Sequence, residues 1–119
     1  MGITVTRDGE ATVIALESQY DSFDDAAINH LSEVLLHQAG AANPALVVLD
    51  FAETKFFGSR FVEVAVRAWK RLRQRQGQMA LANLNPFCTE VLESARLNQL
   101  WSFYPTREAA VAAISGGRG

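Results

Sequence analysis

Two apolar runs on either side of one amphipathic segment constrain the fold of this 119-residue chain more than any other feature. The first run, residues 45–51, is rich in leucine and valine and is bounded by turn residues, which predicts a buried strand. A helical period of apolar side chains extends from Ser59 to Gln76, and the next apolar run lies at residues 78–83. A strand, a helix and a second strand in this order form a right-handed crossover between parallel strands. The sequence therefore predicts an α/β domain.

The other segments add an antiparallel strand pair and three more helices. Asp8-Gly9, between two β-rich runs, is a strong hairpin signal. We predict strands near residues 3–6, 11–17, 45–51, 78–83 and 101–104, and helices near residues 23–39, 59–76, 86–96 and 106–114. The expected fold is one mixed sheet of about five strands with about four helices packed against it. It forms a single domain, residues 1–115, followed by a flexible tail, residues 116–119.

Helix caps and core positions follow from the same patterns. Asp21 or Ser22 is expected to cap the first helix. Asn85 and Thr106 are expected to cap the third and fourth helices. Tyr104, the tryptophans and the phenylalanines are expected to pack inside the protein. The apolar faces predict a core that contains Ile14, Leu31, Leu35, Val48, Phe61, Leu72, Leu81, Val91 and Ile114.

Composition and charge argue against several classes of function. A net charge of −2 and a pI near 5.6 are not typical of proteins that bind nucleic acid. No apolar run approaches the roughly 20 residues of a membrane span and no secretory signal is recognisable, so we expect no membrane insertion and a cytoplasmic location. Cys88 shares an apolar arc with Phe87 and is expected to be an inert core thiol. His30 and His37 are two helical turns apart, too far to bind one metal ion, so we expect neither a metal nor a cofactor.

Ser59 is the first candidate functional residue, because it stands where a loop enters a helix. The unpaired N–H groups and the positive dipole end of a helix N-terminus favour an anion such as phosphate. Serine is also a preferred N-cap, so a purely capping role is the simpler interpretation. Asp50, at the end of the preceding strand, likewise has two interpretations. It holds the loop by accepting backbone hydrogen bonds, or it acts beside Ser59.

The second helix divides into an apolar face and a polar face. Arg60, Glu63, Arg67, Lys70 and Gln74 share the polar face. Surface helices normally have such a solvated face, which is one interpretation of the pattern. The other interpretation is a docking surface for an acidic protein partner, since most of these side chains are basic.

The order of these segments resembles the STAS family, which includes the bacterial anti-sigma factor antagonists. The resemblance covers nearly the whole chain and is carried by residues 16–21, 47–51, 56–59, 77–83 and 108–110. It implies that Ser59 occupies the position of the residue that a cognate anti-sigma kinase phosphorylates. It also implies that Asp50 is the acidic residue that ends the central strand, and that Asp21 matches an aspartate after the second strand.

Three residues beside Ser59 depart from the family loop. Gly58 replaces an aspartate, Arg60 replaces a small residue and Phe61 replaces a glycine. The expected fold is unaffected, because Gly58 can adopt a strained turn conformation and Phe61 can point into the core. We predict that partner contacts involve Asp21, Asp50, Gly58, Arg60, Glu63, Arg67 and Lys70.

The resemblance implies a regulatory protein-interaction module in signal transduction and transcription regulation, not an enzyme. Its partner is expected to be an anti-sigma factor or serine kinase, and phosphorylation of Ser59 would switch the binding. An alternative is a non-phosphorylated STAS subunit, bound to a scaffold protein in a larger signalling or transport assembly. A Ser59-dependent hydrolase is a remote alternative, because the sequence has no recognised nucleophile elbow and no ordered set of serine, histidine and carboxylate.

Overall fold

Strands and helices alternate along most of the chain in the computed structural model, which describes residues 2–116. The strands are β1 (Ile3–Asp8), β2 (Ala11–Leu16), β3 (Leu46–Asp50), β4 (Gln78–Ala82) and β5 (Ser102–Tyr104). The helices are α1 (Asp25–Ala41), α2 (Ser59–Gln74), α3 (Pro86–Ser94) and α4 (Arg107–Gly116), with one turn of 3₁₀ helix at Leu97–Gln99. The tail predicted at residues 116–119 lies outside the described residues except for Gly116, which ends α4.

The five strands form one mixed sheet in the order β1-β2-β3-β4-β5. β1 and β2 are antiparallel and pair Asp8 with Ala11 at the hairpin end. The pairs β2–β3, β3–β4 and β4–β5 are parallel, as their helical connections require. This architecture confirms the predicted fold class, and each predicted element is present with ends that differ by at most two residues.

Helices cover both faces of the sheet, so side chains along a strand alternate between two cores. The larger core lies under α1, α2 and α3, and it contains Val47 and Leu49 of β3. The smaller core lies under α4, where Ala110 and Ile114 belong to the same cluster as Val48. Every residue of β3 is buried, which explains its continuous apolar sequence.

Of the nine core positions predicted from the apolar faces, all but Val91 of α3 are buried. The predicted positions that are buried are Ile14, Leu31, Leu35, Val48, Phe61, Leu72, Leu81 and Ile114. Val91 is only half-buried, and Phe87, which was expected inside, is 54% exposed. The buried residues of α3 are Cys88 and Leu92. Because Phe87 lies about 100° around the helix from Cys88, it falls outside this narrow face.

Helix caps agree with the prediction in α3 and α4 but not in α1. The side chains of Asn85 and Thr106 accept hydrogen bonds from backbone N–H groups in the first turns of their helices. α1 starts two residues later than predicted, because Asp24 caps it instead of Asp21 or Ser22. The shift leaves Asp21 and Ser22 in the loop before α1, which is next to the start of α2.

Candidate functional site

The loop between β3 and α2, residues 51–58, leads directly to Ser59 and is held by groups from the β2–α1 connection. The Gln19 Oε1 atom accepts a hydrogen bond from the N–H of Lys55 at 2.6 Å. The hydroxyl of Thr54, which is almost completely buried, donates to the carbonyl oxygen at the end of β2 at 3.0 Å. The two loops therefore fix each other, and Ser59 stands on a well-defined backbone.

Ser59 is the first residue of α2, and its side chain is exposed. Gly58 occupies the N-cap position and supplies no side-chain oxygen. Ser22 supplies it from the loop before α1, because its Oγ accepts a hydrogen bond from the N–H of Arg60 at 3.4 Å. The capping interpretation of Ser59 is therefore wrong, and α2 does not need the Ser59 hydroxyl in order to begin.

Gly58 is required by the close approach of Ser22. A Cβ atom at residue 58 would lie 2.1 Å from the Ser22 Oγ and 3.1 Å from the Ser22 backbone nitrogen. The backbone at Gly58 is extended, with φ −103° and ψ −174°, so its conformation alone does not demand glycine. A side chain at residue 58 and the Ser22 hydroxyl would therefore compete for the same space at the start of α2.

Arg60 connects the starts of α1 and α2. Its Nη1 atom donates to Asp25 Oδ1 at 2.6 Å and to the carbonyl oxygen of Ser22 at 2.9 Å. Both partners belong to the α1 side, so the guanidinium is directed away from the rest of the polar face of α2. The charge of Arg60 is largely balanced by Asp25, although this pair is too exposed to contribute much stability.

The remaining polar face of α2 is exposed at Glu63, Arg67 and Lys70. The buried residues of the helix are Phe61, Val64, Ala65, Ala68 and Leu72, which include the predicted core positions Phe61 and Leu72. Trp69, expected inside, is half-buried beneath the guanidinium of Arg73. Within residues 2–116, neither Arg67 nor Lys70 has an ion-pair partner. These two cations are therefore free to contact an acidic surface.

Asp50 is buried at the end of β3 and is surrounded by hydrogen-bond donors. Its Oδ1 accepts from the N–H of Ala52 at 3.0 Å and from Asn83 Nδ2 at 2.9 Å, and its Oδ2 accepts from Arg107 Nε at 2.8 Å. Burial alone would raise the pKa of Asp50, but the bonds from Asn83, Ala52 and Arg107 outweigh it and lower the pKa below 3.8. This network joins β3, β4 and α4, and it supports the loop-holding interpretation of Asp50.

The predicted contact residues therefore do not form one surface. Asp50 is only 4% exposed, and none of its described partners is Ser59. Asp21 is exposed, and its Oδ1 accepts a hydrogen bond from the N–H of Phe23 at 2.8 Å, which tightens the turn before α1. Asp21, Gly58 and Arg60 lie around Ser59, whereas Asp50 supports the sheet end from inside.

The thiol and the two histidines provide no second site. Cys88 is buried and points to the carbonyl oxygen of Lys55, with its Sγ at 3.4 Å, and burial raises its pKa to about 11. His30 and His37 are exposed on α1. In the described part of the chain, no three His, Cys, Asp or Glu residues are arranged to hold a metal ion. The same residues include no helix with the length and apolar character that a membrane crossing needs.

Sequence reasoning missed three exposed phenylalanines near Ser59. Phe23 is 94% exposed, Phe87 is 54% exposed and Phe56 is 38% exposed. All three were expected in the core because aromatic residues usually pack there. A signal for Phe23 was present in the sequence, since it stands between Asp21-Ser22 and Asp24, residue types that favour turns and helix starts over buried positions.

Comparison with known proteins identifies the family. A model of the STAS domain matches residues 3–110, nearly the whole chain. The chain belongs to the STAS domain family. A STAS domain protein of Planctomyces limnophilus, described as an anti-sigma factor antagonist, is 30% identical, with a TM-score of 0.85 over 97% of this chain and 99% of that one.

Two further relatives of this STAS domain are also described as anti-sigma factor antagonists. A candidate antagonist of Bordetella bronchiseptica, BtrV, is 36% identical over 68 residues, which are 57% of this chain and 59% of that protein. The match thus spans less than two thirds of that relative. SpoIIAA in its unphosphorylated form has a TM-score of 0.79 with 18% identity, covering 97% of both chains. The phosphorylated form of SpoIIAA, from Bacillus, has a TM-score of 0.70 with 18% identity, covering 95% of this chain and 99% of that one. At this identity, the likeness to SpoIIAA shows the fold alone.

Proposed function

We propose that this STAS domain is a cytoplasmic, non-enzymatic regulator that binds a serine-kinase anti-sigma factor and is released when Ser59 is phosphorylated. The observation that carries the proposal is the exposed Ser59 hydroxyl on the first residue of α2, where no capping role uses it. The names of two relatives support the partner class, since both BtrV and the Planctomyces limnophilus protein are described as anti-sigma factor antagonists.

The helix start suits a phosphate on Ser59. The first turn of α2 contains no acidic residue, so its N–H groups and its dipole meet no competing carboxylate from within the turn. A phosphate adds about −1.5 to −2 charges and three acceptor oxygens. Arg60 is already bound to Asp25. The backbone N–H groups of α2 are therefore the first donors available to the phosphate, and little refolding is needed.

Substitutions at Ser59 test the switch. We expect Ser59→Asp to weaken binding to purified serine-kinase anti-sigma factors of the source genome, and Ser59→Ala to preserve it. Because Ser59 caps nothing, both variants should keep the wild-type free energy of unfolding to within about 0.5 kcal/mol. Isothermal titration calorimetry measures the affinity. Ser94→Asp, which adds the same charge on an exposed serine at the C-terminal end of α3, is the control. Equal affinity of Ser59→Asp and wild type would contradict the switch.

Substitution of the exposed cations of α2 tests whether the partner presents an acidic surface to this helix. The double variant Arg67→Glu with Lys70→Glu should slow association and weaken the salt dependence of binding, because exposed charges act mainly on the association rate. The melting temperature should hardly change. Arg7→Glu with Arg96→Glu changes the net charge equally on other exposed elements and should bind like the wild type. If both double variants associate at the same rate, the polar face of α2 is only solvated.

A non-phosphorylated STAS subunit in a larger signalling or transport assembly is the second interpretation. It requires binding that is indifferent to the state of Ser59. The Ser59 variants separate it from the first proposal, because a scaffold-bound subunit would keep its partner in Ser59→Asp.

A further inference from the structure

Phe23 projects from the protein surface, with 94% of its area exposed, and it is held in a constrained turn. Its own N–H donates to Asp21 Oδ1 at 2.8 Å, and the next N–H, of Asp24, donates to the Asp21 carbonyl oxygen at 2.9 Å. The preceding residue, Ser22, is held by Arg60 through its carbonyl oxygen. A rigid turn thus presents an aromatic ring to solvent, where it contributes nothing to the core.

Two other exposed rings lie around the same loop. Phe56 is 38% exposed, and its N–H is hydrogen-bonded to Gln19 Oε1. Phe87 is 54% exposed and follows Asn85, whose Nδ2 donates to the Lys55 carbonyl oxygen at 2.9 Å. The large apolar side chains left exposed among the described residues are Val5, Phe23, Phe56, Phe87 and Leu100. Three of these five therefore lie in the β3–α2 loop or next to residues that hydrogen-bond to that loop or to the start of α2.

We infer that Phe23, Phe56 and Phe87 form an aromatic patch on which the protein partner docks, with Phe23 inserted into an apolar pocket of that partner. This inference rests on the proposed function, because it identifies the surface through which the Ser59 end is recognised. Aromatic residues dominate binding energy when a partner removes them from water. A backbone turn that is already fixed before binding also loses little conformational freedom.

The charges beside Phe23 specify the chemistry of that pocket. Asp21 and Asp24 are exposed and lie within two residues of Phe23 in the sequence, whereas the charge of the neighbouring Asp25 is balanced by Arg60. A complementary partner therefore carries lysine or arginine around the pocket that receives the ring. A second copy of this chain is a poor occupant, because a two-fold contact centred on Phe23 would bring two sets of these carboxylates together. The partner is thus cationic around its apolar pocket and acidic where it meets Arg67 and Lys70.

The aromatic patch also gives a physical reason why a phosphate on Ser59 would release the partner. The phosphate would lie in the surface that the partner must cover, and burying a dianion in an apolar interface carries a large desolvation cost. Loss of binding through desolvation is not screened by salt, whereas loss through charge repulsion is. The deficit caused by Ser59→Asp should therefore persist at high ionic strength.

The test compares Phe23→Ala with Leu100→Ala, which truncates an exposed apolar side chain that is not part of the patch. We expect Phe23→Ala to weaken binding to the serine-kinase anti-sigma factors by about tenfold or more, while Leu100→Ala has the wild-type affinity. Both variants should keep the wild-type melting temperature, so a loss of binding cannot be ascribed to unfolding. The double variant Asp21→Asn with Asp24→Asn should slow association, because it preserves both hydrogen-bonding side chains and removes two charges.

The outcomes separate this inference from the proposed function. If the wild type binds and Phe23→Ala binds equally well, the aromatic patch is not the docking surface, although the proposed function stands. If the wild type binds none of the anti-sigma factors, both are overturned. A concentration-dependent dimer that Phe23→Ala abolishes, measured by light scattering, would show a second copy on the patch and would also overturn the inference. Faster association of the Asp21→Asn, Asp24→Asn variant would contradict the cationic rim.

Discussion

Replacing Asp50 with alanine is expected to lower the free energy of unfolding by about 3 kcal/mol at neutral pH. The carboxylate is buried and accepts hydrogen bonds from Ala52, Asn83 and Arg107. Its removal leaves these donors without their acceptor at the point where β3, β4 and α4 meet. Arg107 is partly exposed and can turn to water, so the loss is smaller than for a completely buried pair. Urea unfolding followed by circular dichroism measures the change.

A comparison of Asp50→Asn with the wild type at different pH values isolates the contribution of the Asp50 charge to the free energy of unfolding. The pKa of Asp50 is lower in the folded protein than the ordinary 3.8. Its charge therefore adds stability above pH 3.8, and this stability is lost as the pH falls through the folded-state pKa. The difference in unfolding free energy between the wild type and Asp50→Asn should be constant near neutrality and should shrink below about pH 4. A difference that stays unchanged at low pH would contradict the role of the ionised carboxylate.

Gly58→Asp restores the aspartate of the family loop, and it is expected to destabilise the protein by about 2 kcal/mol. The new Cβ would lie 2.1 Å from the Ser22 Oγ, so the β2–α1 turn has to move and the cap it supplies to α2 is lost. Gly40→Ala is the matched control, because its Cβ would make ordinary contact, 3.5 Å from Arg71 Cδ, inside a helix where alanine is favoured.

A double-mutant cycle tests whether Ser22 causes the loss of stability expected for Gly58→Asp. Ser22→Gly alone removes the cap from the start of α2 and should cost about 1 kcal/mol. In the combined variant, Ser22→Gly with Gly58→Asp, the clash with the Ser22 side chain is removed, only the backbone nitrogen at 3.1 Å stays close, and the aspartate stands in the N-cap position of the helix. The combined variant should therefore be more stable than the sum of the two single changes predicts. Additive effects would show that the crowding at Gly58 has another source.

The fold was predictable because its main signals are local. The helical period after Ser59, the hairpin at Asp8-Gly9 and the caps at Asn85 and Thr106 each depend on residues close in sequence. These signals together limit the chain to a mixed sheet with helical connections. The relevant information is contained in short windows, where hydrophobic periodicity and turn chemistry agree.

The site was only partly predictable, because its key contacts join distant segments. Ser22 caps α2 across 38 residues of sequence, and Arg107 reaches Asp50 across 57. Neither contact leaves a local pattern, so the sequence left two interpretations open for Ser59, a capping role and a phosphate-accepting role, and likewise two for Asp50. The exposure of Phe23 was missed although turn-favouring residues flank it in the sequence. Aromatic character predicts burial on average, whereas the position of this ring depends on how the turn before α1 meets the start of α2.

Intact-mass spectrometry after incubation with ATP and each serine-kinase anti-sigma factor of the source genome tests the central claim most directly. The proposed function predicts that one of these kinases adds a single phosphate to the wild type and none to Ser59→Ala, and that the phosphorylated protein no longer binds that kinase. Phosphate that is still added to Ser59→Ala would place the acceptor elsewhere. A wild type that no kinase modifies would contradict the switch and favour the non-phosphorylated STAS subunit.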